Sequence, residues 1–570
     1  MPKINIDGKE YEFEGKPFLL KYTFDTEVEI PYFCYHPAMS VPTNCRMCLV
    51  EVGWQRRNRE TGAWVFDEND KPVIDWGRKP ATACNTTVGE GMFVKTHKTS
   101  QIVKTAQEGV LEYMLVNHPL DCPICDQAGE CPLQIWTYKY GPEGSRFENQ
   151  KVHKPKRIHL GPNVILDAER CINCTRCTRF TEEISHSDQL TIIGRGDKNH
   201  PATAPGVVFD DAYSMNVIDL CPVGALTSEK SRFKARVWEM NMTPTICTGC
   251  SNGCNTHAWI RDNEVIRHTP KENEAVNQYW MCDEGRLQTE KFIKNRVSGA
   301  KIKGDIPVDL AAAYQKAAQV LKATKGRILF IGSAYASSES NFALHELGKK
   351  YGKDNDFLFV THTQEGWGDT FLRKNDRTPN AAAAKMMGFS PVSLEQLKAK
   401  IHLFETIYLI EDDAVLATLG EDITKKMVIA HSTHYTEYSD KVEVLFPAAM
   451  HIETEGTFVN AKGIPQFTRM IKEIRQMTPE MWMSLSKSRL DKGAVYKDNW
   501  RNNDHIFEVQ SSWLMVSKVA SDMGINLGFD THKEVFAKMK HDHKAFQDLK
   551  ISYKIPKEAF KNTQFEFAIT

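Results

Sequence analysis

The residues of this sequence with the clearest capacity for chemistry are its cysteines. The chain of 570 residues contains 15 of them, and all lie between Cys34 and Cys282. An odd number cannot pair completely into disulfides within one chain. Their spacing separates them into four sets, and sets of this kind are typical of metal-binding sites. We therefore expect the first half of the chain to hold metal and the second half to have another role.

The first set has one C-x2-C pair, with one cysteine before the pair and one far after it. Its members are Cys34, Cys45, Cys48 and Cys84. Plant-type [2Fe–2S] ferredoxins use a C-x4-C-x2-C segment with a remote fourth cysteine, and only the first gap is wider here. A structural zinc site is the alternative, although such sites usually have two tight pairs.

The second set has only three cysteines, which leaves a tetrahedral site short of one ligand. Its members are Cys122, Cys125 and Cys131, and His118 lies four residues before the first of them. His118 is therefore the candidate for the fourth ligand. Imidazole in place of thiolate makes a cluster site less negative and generally raises its reduction potential.

The third set has the spacing of bacterial ferredoxins, C-x2-C-x2-C followed later by Cys-Pro. Its members are Cys171, Cys174, Cys177 and Cys221. A two-cluster ferredoxin needs two such triplets, and only one is present here. The spacing predicts a ferredoxin-like domain with one [4Fe–4S] cluster.

The fourth set combines a tight run with a distant cysteine. Its members are Cys247, Cys250, Cys254 and Cys282. Gly249 and Gly253 let the backbone turn closely around a cluster and direct N–H groups at its sulfurs. A zinc ribbon is the alternative for this set.

The elements around these sets differ between the two halves of the chain. Residues 3–13 predict a hairpin, and residues 54–79 predict an inserted hairpin. Residues 100–117 predict an amphipathic helix with one apolar stripe, formed by Ile102, Val103, Ala106, Val110, Leu111 and Met114. In the second half, short apolar runs at residues 327–333, 356–360, 407–410, 427–430 and 442–447 predict strands that alternate with helices, one of them at residues 338–350. That alternation indicates a mostly parallel, doubly wound sheet.

Composition excludes several classes of protein. Lys and Arg number 72 against 73 Asp and Glu, a net charge of −1 that does not suggest a nucleic-acid-binding protein. No stretch approaches 18 consecutive apolar residues, and the N-terminus has no signal-peptide pattern, so we expect no membrane insertion and a cytoplasmic location. No glycine-rich nucleotide-binding motif is present.

The order of the sets and their flanking residues resemble the large iron–sulfur subunit of respiratory complex I, a proton-translocating NADH:quinone oxidoreductase. In bacteria this is the G subunit, and in mitochondria it is the 75 kDa subunit. The matching stretches are Cys34-Tyr-His-Pro, Cys45-Arg-Met-Cys-Leu-Val, Asn117-His-Pro-Leu-Asp-Cys-Pro-Ile-Cys-Asp, Cys171-Ile-Asn-Cys-Thr-Arg-Cys-Thr-Arg-Phe, Cys221-Pro-Val-Gly-Ala-Leu and Arg236-Val-Trp-Glu-Met.

The resemblance implies one [2Fe–2S] cluster on the first set and a [4Fe–4S] cluster on each of the other three, with His118 as a ligand of the second. From residue 301 the chain resembles the molybdopterin oxidoreductase fold, whose Gly-Thr-x-x-Asn segment matches residues 456–460. The segment after Met477 is short compared with that of fuller members of this family. No cysteine follows Cys282 to bind molybdenum, so we expect no molybdopterin there. A serine or aspartate ligand to molybdenum is the alternative.

The resemblance also implies a multidomain protein of α+β and α/β class. We expect a plant-type ferredoxin-like β-grasp domain at 1–97 and a helical His/Cys cluster domain at 98–155. A bacterial ferredoxin-like domain at 156–238 and a molybdopterin-oxidoreductase-type [4Fe–4S] domain at 239–298 follow. The last region, 299–570, is expected to be molybdopterin-oxidoreductase-like, doubly wound α/β without a metal cofactor.

The function implied is electron transfer. Electrons would come from a flavin on an NADH-binding partner and pass the first, the second and then the third set. They would leave to a downstream iron–sulfur subunit in the peripheral arm of a complex bound to the cell membrane. The chain itself would lack the NADH and quinone sites.

Two other functions remain open from the sequence. One is an iron–sulfur catalytic subunit of a cytoplasmic formate dehydrogenase or an [FeFe]-hydrogenase, although the further cysteines that these enzymes use are missing. The other is a zinc-bound structural scaffold with no redox role.

Overall fold

A computed structural model describes residues 1–288, 294–472 and 509–551. The chain separates into two compact units, Met1–Trp238 and Glu239–Thr570, and each is described by itself. Among the described residues, no helix combines the length and the apolar character that crossing a membrane requires.

The first unit begins with a mixed sheet in the order β2-β1-β6-β3-β4, with β5 paired to β3. Only β1 and β6 run parallel within it; the other pairs are antiparallel. The strands are β1 (Lys3–Ile6), β2 (Lys9–Glu12), β3 (Leu49–Gln55), β4 (Ile74–Trp76), β5 (Ala81–Thr82) and β6 (Met92–Lys95), and helix α1 (Leu19–Thr23) lies between β2 and β3 in chain order. The predicted N-terminal hairpin is confirmed, and its buried side, Ile4 and Ile6, packs in the core of this sheet.

The rest of the first unit is helical segments joined by short two- and three-stranded sheets. The predicted amphipathic helix is α2 (Gln101–Leu115), and the Ser100 hydroxyl caps it by accepting a hydrogen bond from the Val103 N–H. Ile102, which the pattern assigns to the buried stripe, is instead 58% exposed. The remaining elements are α3 (Pro132–Tyr140), β7 (Ile158–His159), β8 (Val164–Leu166), α4 (Arg176–Glu183), β9 (Thr191–Ile193), β10 (His200–Ala202), α5 (Asn216–Leu220) and β11 (Leu226–Ser228).

The second unit opens with an antiparallel sheet and a short helix. The strands are β12 (Asn241–Ile246), β13 (Asn255–Arg261) and β14 (Glu264–Pro270), and α6 (Asp283–Arg286) follows them. A two-stranded hairpin, β23 (Gly456–Val459) and β24 (Pro465–Thr468), contains the Gly-Thr-x-x-Asn segment later in the chain.

The main body of the second unit is an eight-stranded sheet in the order β16-β15-β22-β21-β20-β17-β18-β19. Its strands are β15 (Lys301–Ile302), β16 (Ile306–Pro307), β17 (Ile328–Gly332), β18 (Asn355–Val360), β19 (Ser390–Val392), β20 (Thr406–Ile410), β21 (Met427–Ser432) and β22 (Val444–Pro447). The strands from β22 to β19 are parallel, whereas β15 and β16 form an antiparallel edge. Because the chain proceeds from β17 to one side and returns to the other side at β20, the predicted doubly wound sheet is confirmed.

Helices cover the large sheet, and its central strands are buried along their whole length, as parallel sheets require. The helices are α7 (Leu310–Ala323), α8 (Ser338–Tyr351), α9 (Ala381–Met386), α10 (Leu394–Lys400), α11 (Asp413–Leu419), α12 (Ser512–Asp522) and α13 (His532–Asp542). Two apolar cores lie on the sheet, one containing Phe330 and Tyr408 and the other Leu329 and Leu409. Much of the segment after Met477, which the sequence treats as a shortened C-terminal region, lies outside the described residues.

We expect Leu409→Ala to lower the free energy of unfolding by roughly 2–5 kcal/mol, because it leaves a cavity in the core beside β20. Leu409 is 1% exposed, whereas the nearby Leu403 is 49% exposed. Leu403→Ala is therefore the matched control, with an expected change within about 0.5 kcal/mol. Urea unfolding followed by circular dichroism measures both, and equal midpoints for the two variants would contradict the core assignment.

Candidate metal centres

Site 1, formed by the first cysteine set, is built on loops of the N-terminal sheet. All four cysteines are buried, and their thiols are hydrogen-bonded in two pairs, Cys34 with Cys45 and Cys48 with Cys84. Arg46 has a φ of 56°, so the loop between the tight pair is left-handed there and turns an N–H of the next residue, Met47, toward the Cys45 sulfur.

Site 2, formed by His118 with the second set, lies after α2 and before α3. His118 follows α2, the cysteines Cys122 and Cys125 border a short 3-10 turn, and Cys131 precedes α3. The four residues line one cavity of about 300 Å³. Cys122 is exposed, whereas Cys125 and Cys131 are buried.

The His118 ring has the properties of a neutral metal ligand. Burial, aided by nearby cationic side chains, lowers its pKa to about 4, so the imidazole is uncharged at neutral pH. Within the described part of the chain, its Nδ1 is buried and has no hydrogen-bond partner. A buried ring nitrogen without a partner is costly, and a metal ion would satisfy it.

Site 3, formed by the third set, surrounds a cavity of about 360 Å³. Asn173 and Thr175 have φ values of 53° and 61°, so the loop winds tightly between Cys171 and Cys177. The Asn173 N–H donates to the Cys171 sulfur at 3.4 Å. The fourth cysteine, Cys221, follows α5 directly.

Site 4, formed by the fourth set, lies in the second unit and surrounds a cavity of about 350 Å³. Besides the backbone N–H of Gly249 at 3.4 Å, two side-chain amides donate to its sulfurs. Asn252 Nδ2 lies 3.1 Å from the Cys254 sulfur, and Gln288 Nε2 lies 3.7 Å from the Cys247 sulfur. A Cβ on Gly285 would lie 2.9 Å from the Cys247 sulfur, so the backbone there approaches the site closely.

The four donor sets fit thiolate-bound metal. Burial raises the pKa of Cys131 and Cys171 to about 12, and that of Cys221 and Cys282 to about 11. Deprotonating such thiols needs a compensating positive charge, which a bound metal supplies. Backbone and amide N–H groups directed at sulfur are the second type of interaction that stabilises bound thiolates.

The spread of the donors favours clusters over single ions. A zinc ion holds four donors within about 2.3 Å of one point. At sites 2, 3 and 4 the donors instead each line a cavity. Among the described residues, no three His, Cys, Asp or Glu side chains converge on a point as a single ion requires.

Segments of site 3 contact site 1 through residues adjacent to the cysteines. Asn44 Nδ2 lies 3.4 Å from the Asn173 oxygen and 3.3 Å from the Thr175 hydroxyl. Two arginines on α4 donate hydrogen bonds to backbone carbonyls of the site 1 segment, Arg176 to Tyr35 and Arg179 to Cys34.

Segments of site 3 also contact site 2. The Cys131 sulfur lies 3.7 Å from the Pro222 carbonyl oxygen. A Cβ on Gly224 would lie only 2.2 Å from the Cys125 sulfur, so glycine is required for this approach. Arg170, which directly precedes Cys171, lines the site 2 cavity.

Sequence reasoning missed the residues that support the cysteines. The main ones are Asp121, Arg170, Arg176, Arg179, Asn252 and Gln288, which contact a cavity, a sulfur or a neighbouring site. The available signals were position and resemblance: Asp121, Arg170 and Arg176 each directly precede a cysteine, and Asp121, Arg176 and Arg179 lie in the matching stretches.

Family models match each of the four regions. Residues 2–99 match the 2Fe-2S iron-sulfur cluster binding domain, and 107–146 match the NADH-ubiquinone oxidoreductase-G iron-sulfur binding region. Residues 161–227 match the ferredoxin-like domain of NADH-quinone oxidoreductase subunit 3, and 240–292 match the molybdopterin oxidoreductase Fe4S4 domain. The chain therefore contains both 2Fe–2S-type and 4Fe–4S-type domains.

Curated relatives agree with these models. The G subunit of NADH-quinone oxidoreductase from Streptomyces coelicolor is 32% identical over 81% of this chain and 54% of its own length. Subunit 3 of the same type of enzyme from Thermus thermophilus is 34% identical over 61% of this chain and 46% of its own length. The 75 kDa subunit of NADH-ubiquinone oxidoreductase from Reclinomonas americana is 39% identical over 53% and 40%.

This chain is similar to G subunits of NADH-quinone oxidoreductases. It spans about half the length of the curated relatives that it matches. Among solved structures, a chain of an NAD+-reducing [NiFe]-hydrogenase in the H2-reduced state covers 41% of this chain and 91% of its own length, with 23% identity and a TM-score of 0.34.

We expect Gly224→Ala to disrupt site 2, because the added methyl would overlap the Cys125 sulfur. Iron content should fall by about four atoms per chain if the site no longer binds a [4Fe–4S] cluster. The control is Gly144→Ala, where a Cβ meets nothing within 4 Å. Equal iron content in the two variants would contradict the close approach at Gly224.

Proposed function

We propose that this chain is an electron-transfer subunit of an NADH:quinone oxidoreductase of the complex I type. The observation that carries the proposal is the set of three donor sites within one compact unit, where segments of site 3 contact both site 1 and site 2. A chain of closely spaced redox centres needs this arrangement, whereas independent structural metal sites do not.

The ligands that we assign follow the four sets. Site 1 holds a [2Fe–2S] cluster and each of the other sites holds a [4Fe–4S] cluster. The ligands are Cys34, Cys45, Cys48 and Cys84 at site 1; His118, Cys122, Cys125 and Cys131 at site 2; Cys171, Cys174, Cys177 and Cys221 at site 3; and Cys247, Cys250, Cys254 and Cys282 at site 4.

The clusters supply the one-electron chemistry, and the protein supplies ligands, burial and hydrogen bonds that set their potentials. At site 3 the Asn173 N–H donates to a ligand sulfur, and at site 4 Asn252 and Gln288 do so. Such donors stabilise negative charge on sulfur and therefore favour the reduced state.

The contacts favour an electron route different from the order expected from the sequence. The residues adjacent to the site 3 ligands contact segments of both site 1 and site 2. We therefore place site 3 between site 1 and site 2 on the route.

The partners that we propose follow from this route. Electrons come from a flavin- and NADH-binding subunit, and they leave to another iron–sulfur subunit in the peripheral arm of a membrane-bound complex. The chain provides neither the NADH nor the quinone site. The doubly wound region of the second unit serves a structural role without molybdopterin, since no cysteine follows Cys282.

The two catalytic alternatives predict cofactors other than the four clusters proposed here. A formate dehydrogenase would contain molybdenum or tungsten, and an [FeFe]-hydrogenase would need further cysteines for its active-site cluster. Metal analysis for molybdenum and tungsten, with formate and hydrogen assays, separates both from the proposal.

Iron analysis with electron paramagnetic resonance is the experiment that tests the proposal. Four sites of these types predict roughly 14 iron atoms per chain and paramagnetic signals on reduction. Zinc-bound protein would be colourless and would show no such signals. Stoichiometric zinc in place of iron would therefore overturn the redox function and favour the scaffold alternative.

His118→Cys tests the ligation at site 2. A fourth thiolate should keep a cluster but lower its reduction potential, because thiolate is more negative than imidazole. The control is His541→Cys in the second unit, whose side chain is 88% exposed. A potential that is unchanged in both variants would count against His118 as a ligand.

A further inference from the structure

An ion pair borders the site 2 cavity. Arg170 and Asp121 both line this cavity together with His118 and the three cysteines. Arg170 Nη2 lies 2.9 Å from Asp121 Oδ2, and the exposed fraction is 5% for the arginine side chain and 20% for the aspartate side chain. Water therefore screens the arginine charge less than it screens a surface charge.

Each member of the pair has a second partner. Arg170 Nε lies 3.3 Å from Asp167 Oδ2, and the Nζ of Lys156 lies 2.6 Å from Asp121 Oδ2. Lys156 also contacts Glu169 at 2.8 Å. Neutralising either Arg170 or Asp121 therefore leaves the other with an ion-pair partner, which limits the cost of breaking a buried pair.

We propose that Arg170 and Asp121 tune the reduction potential of the cluster at site 2, and that they do so in opposite directions. The proposal rests on the cluster function assigned to site 2. The guanidinium stabilises the reduced, more negative cluster and so raises its reduction potential. The carboxylate destabilises the reduced cluster and so lowers the potential, because charges that border the cavity interact with the cluster over a short distance. Both are positioning residues that act on the cluster without ligating it.

The sign of the shift separates tuning from a structural role. Arg170→Gln and Asp121→Asn break the same ion pair, so a purely structural disturbance would move the potential in the same direction in both variants. Tuning by charge instead requires a more negative potential in Arg170→Gln and a more positive one in Asp121→Asn.

The experiment is a redox titration of the assembled, cluster-loaded protein followed by electron paramagnetic resonance. For Arg170→Gln we expect the ratio of reduced to oxidised site 2 cluster at a fixed potential to fall about tenfold, or about 59 mV for a one-electron couple. Asp121→Asn should raise this ratio. The signal of site 1 should move less than that of site 2.

Two controls accompany these variants. Arg170→Lys keeps the positive charge and should leave the potential close to that of the unmodified protein. Arg146→Gln makes the same chemical change at an arginine whose side chain is 85% exposed and that pairs with Glu112 away from the cavity, so no shift is expected.

Shifts of the same sign, or no shift, in the two test variants would overturn the inference. If Arg170→Gln loses the site 2 cluster, the test rests on the shift of the reduction potential in Asp121→Asn alone. A zero or negative shift of that potential rejects the inference. If the unmodified protein shows no site 2 signal that depends on His118, the proposed function itself fails, which is a different result.

Discussion

The constraint on which this structure depends is the burial of sulfur donors that must carry negative charge. A buried thiol resists ionisation, and the raised pKa values of Cys131, Cys171 and Cys221 show how strongly. Metal and N–H donors together overcome that resistance. The loops that hold the cysteines are consequently short and turn sharply, with left-handed residues such as Arg46 and Asn173.

The segment from Arg170 to Arg179 links the three sites of the first unit. It contains three ligands of site 3, and its three arginines point to different neighbours. Arg170 lines the site 2 cavity, while Arg176 and Arg179 bond carbonyls beside the site 1 ligand Cys34. One short segment therefore forms part of site 3 and contacts both of the other donor sites in the first unit.

The fold was largely predictable because its signals are local. Apolar runs predicted strands β17, β18, β20, β21 and β22, but not β19, and an amphipathic pattern predicted α2. The cysteine spacing grouped the ligands because loops that wrap a cluster have characteristic lengths. The prediction that Ile102 belongs to the buried stripe of α2 was wrong, since this side chain is 58% exposed. Periodicity shows which residues share a helix face, but it does not show which of them contact the core.

The order of the sites and their supporting residues were not predictable, because they depend on contacts between distant parts of the chain. Asn44 meets Asn173 across more than a hundred residues, and no local pattern contains that information. The sequence order of the sets suggested a route through site 2 to site 3. The contacts at Asn44, Pro222 and Gly224 instead give the central position to site 3.

Residues other than the cysteines also make the sites unequal. At site 2 the ligand Cys122 is exposed, and the adjacent Leu120 is 88% exposed. At site 4 the guanidinium of Arg377 lies 3.7 Å from the Trp367 ring centroid, and both side chains line the cavity with Arg373. Electron exchange between proteins needs a redox centre near an accessible surface. The exposure of Cys122 is therefore consistent with site 2 lying at one end of the proposed electron route. Side chains other than the ligands therefore give each site its own surroundings.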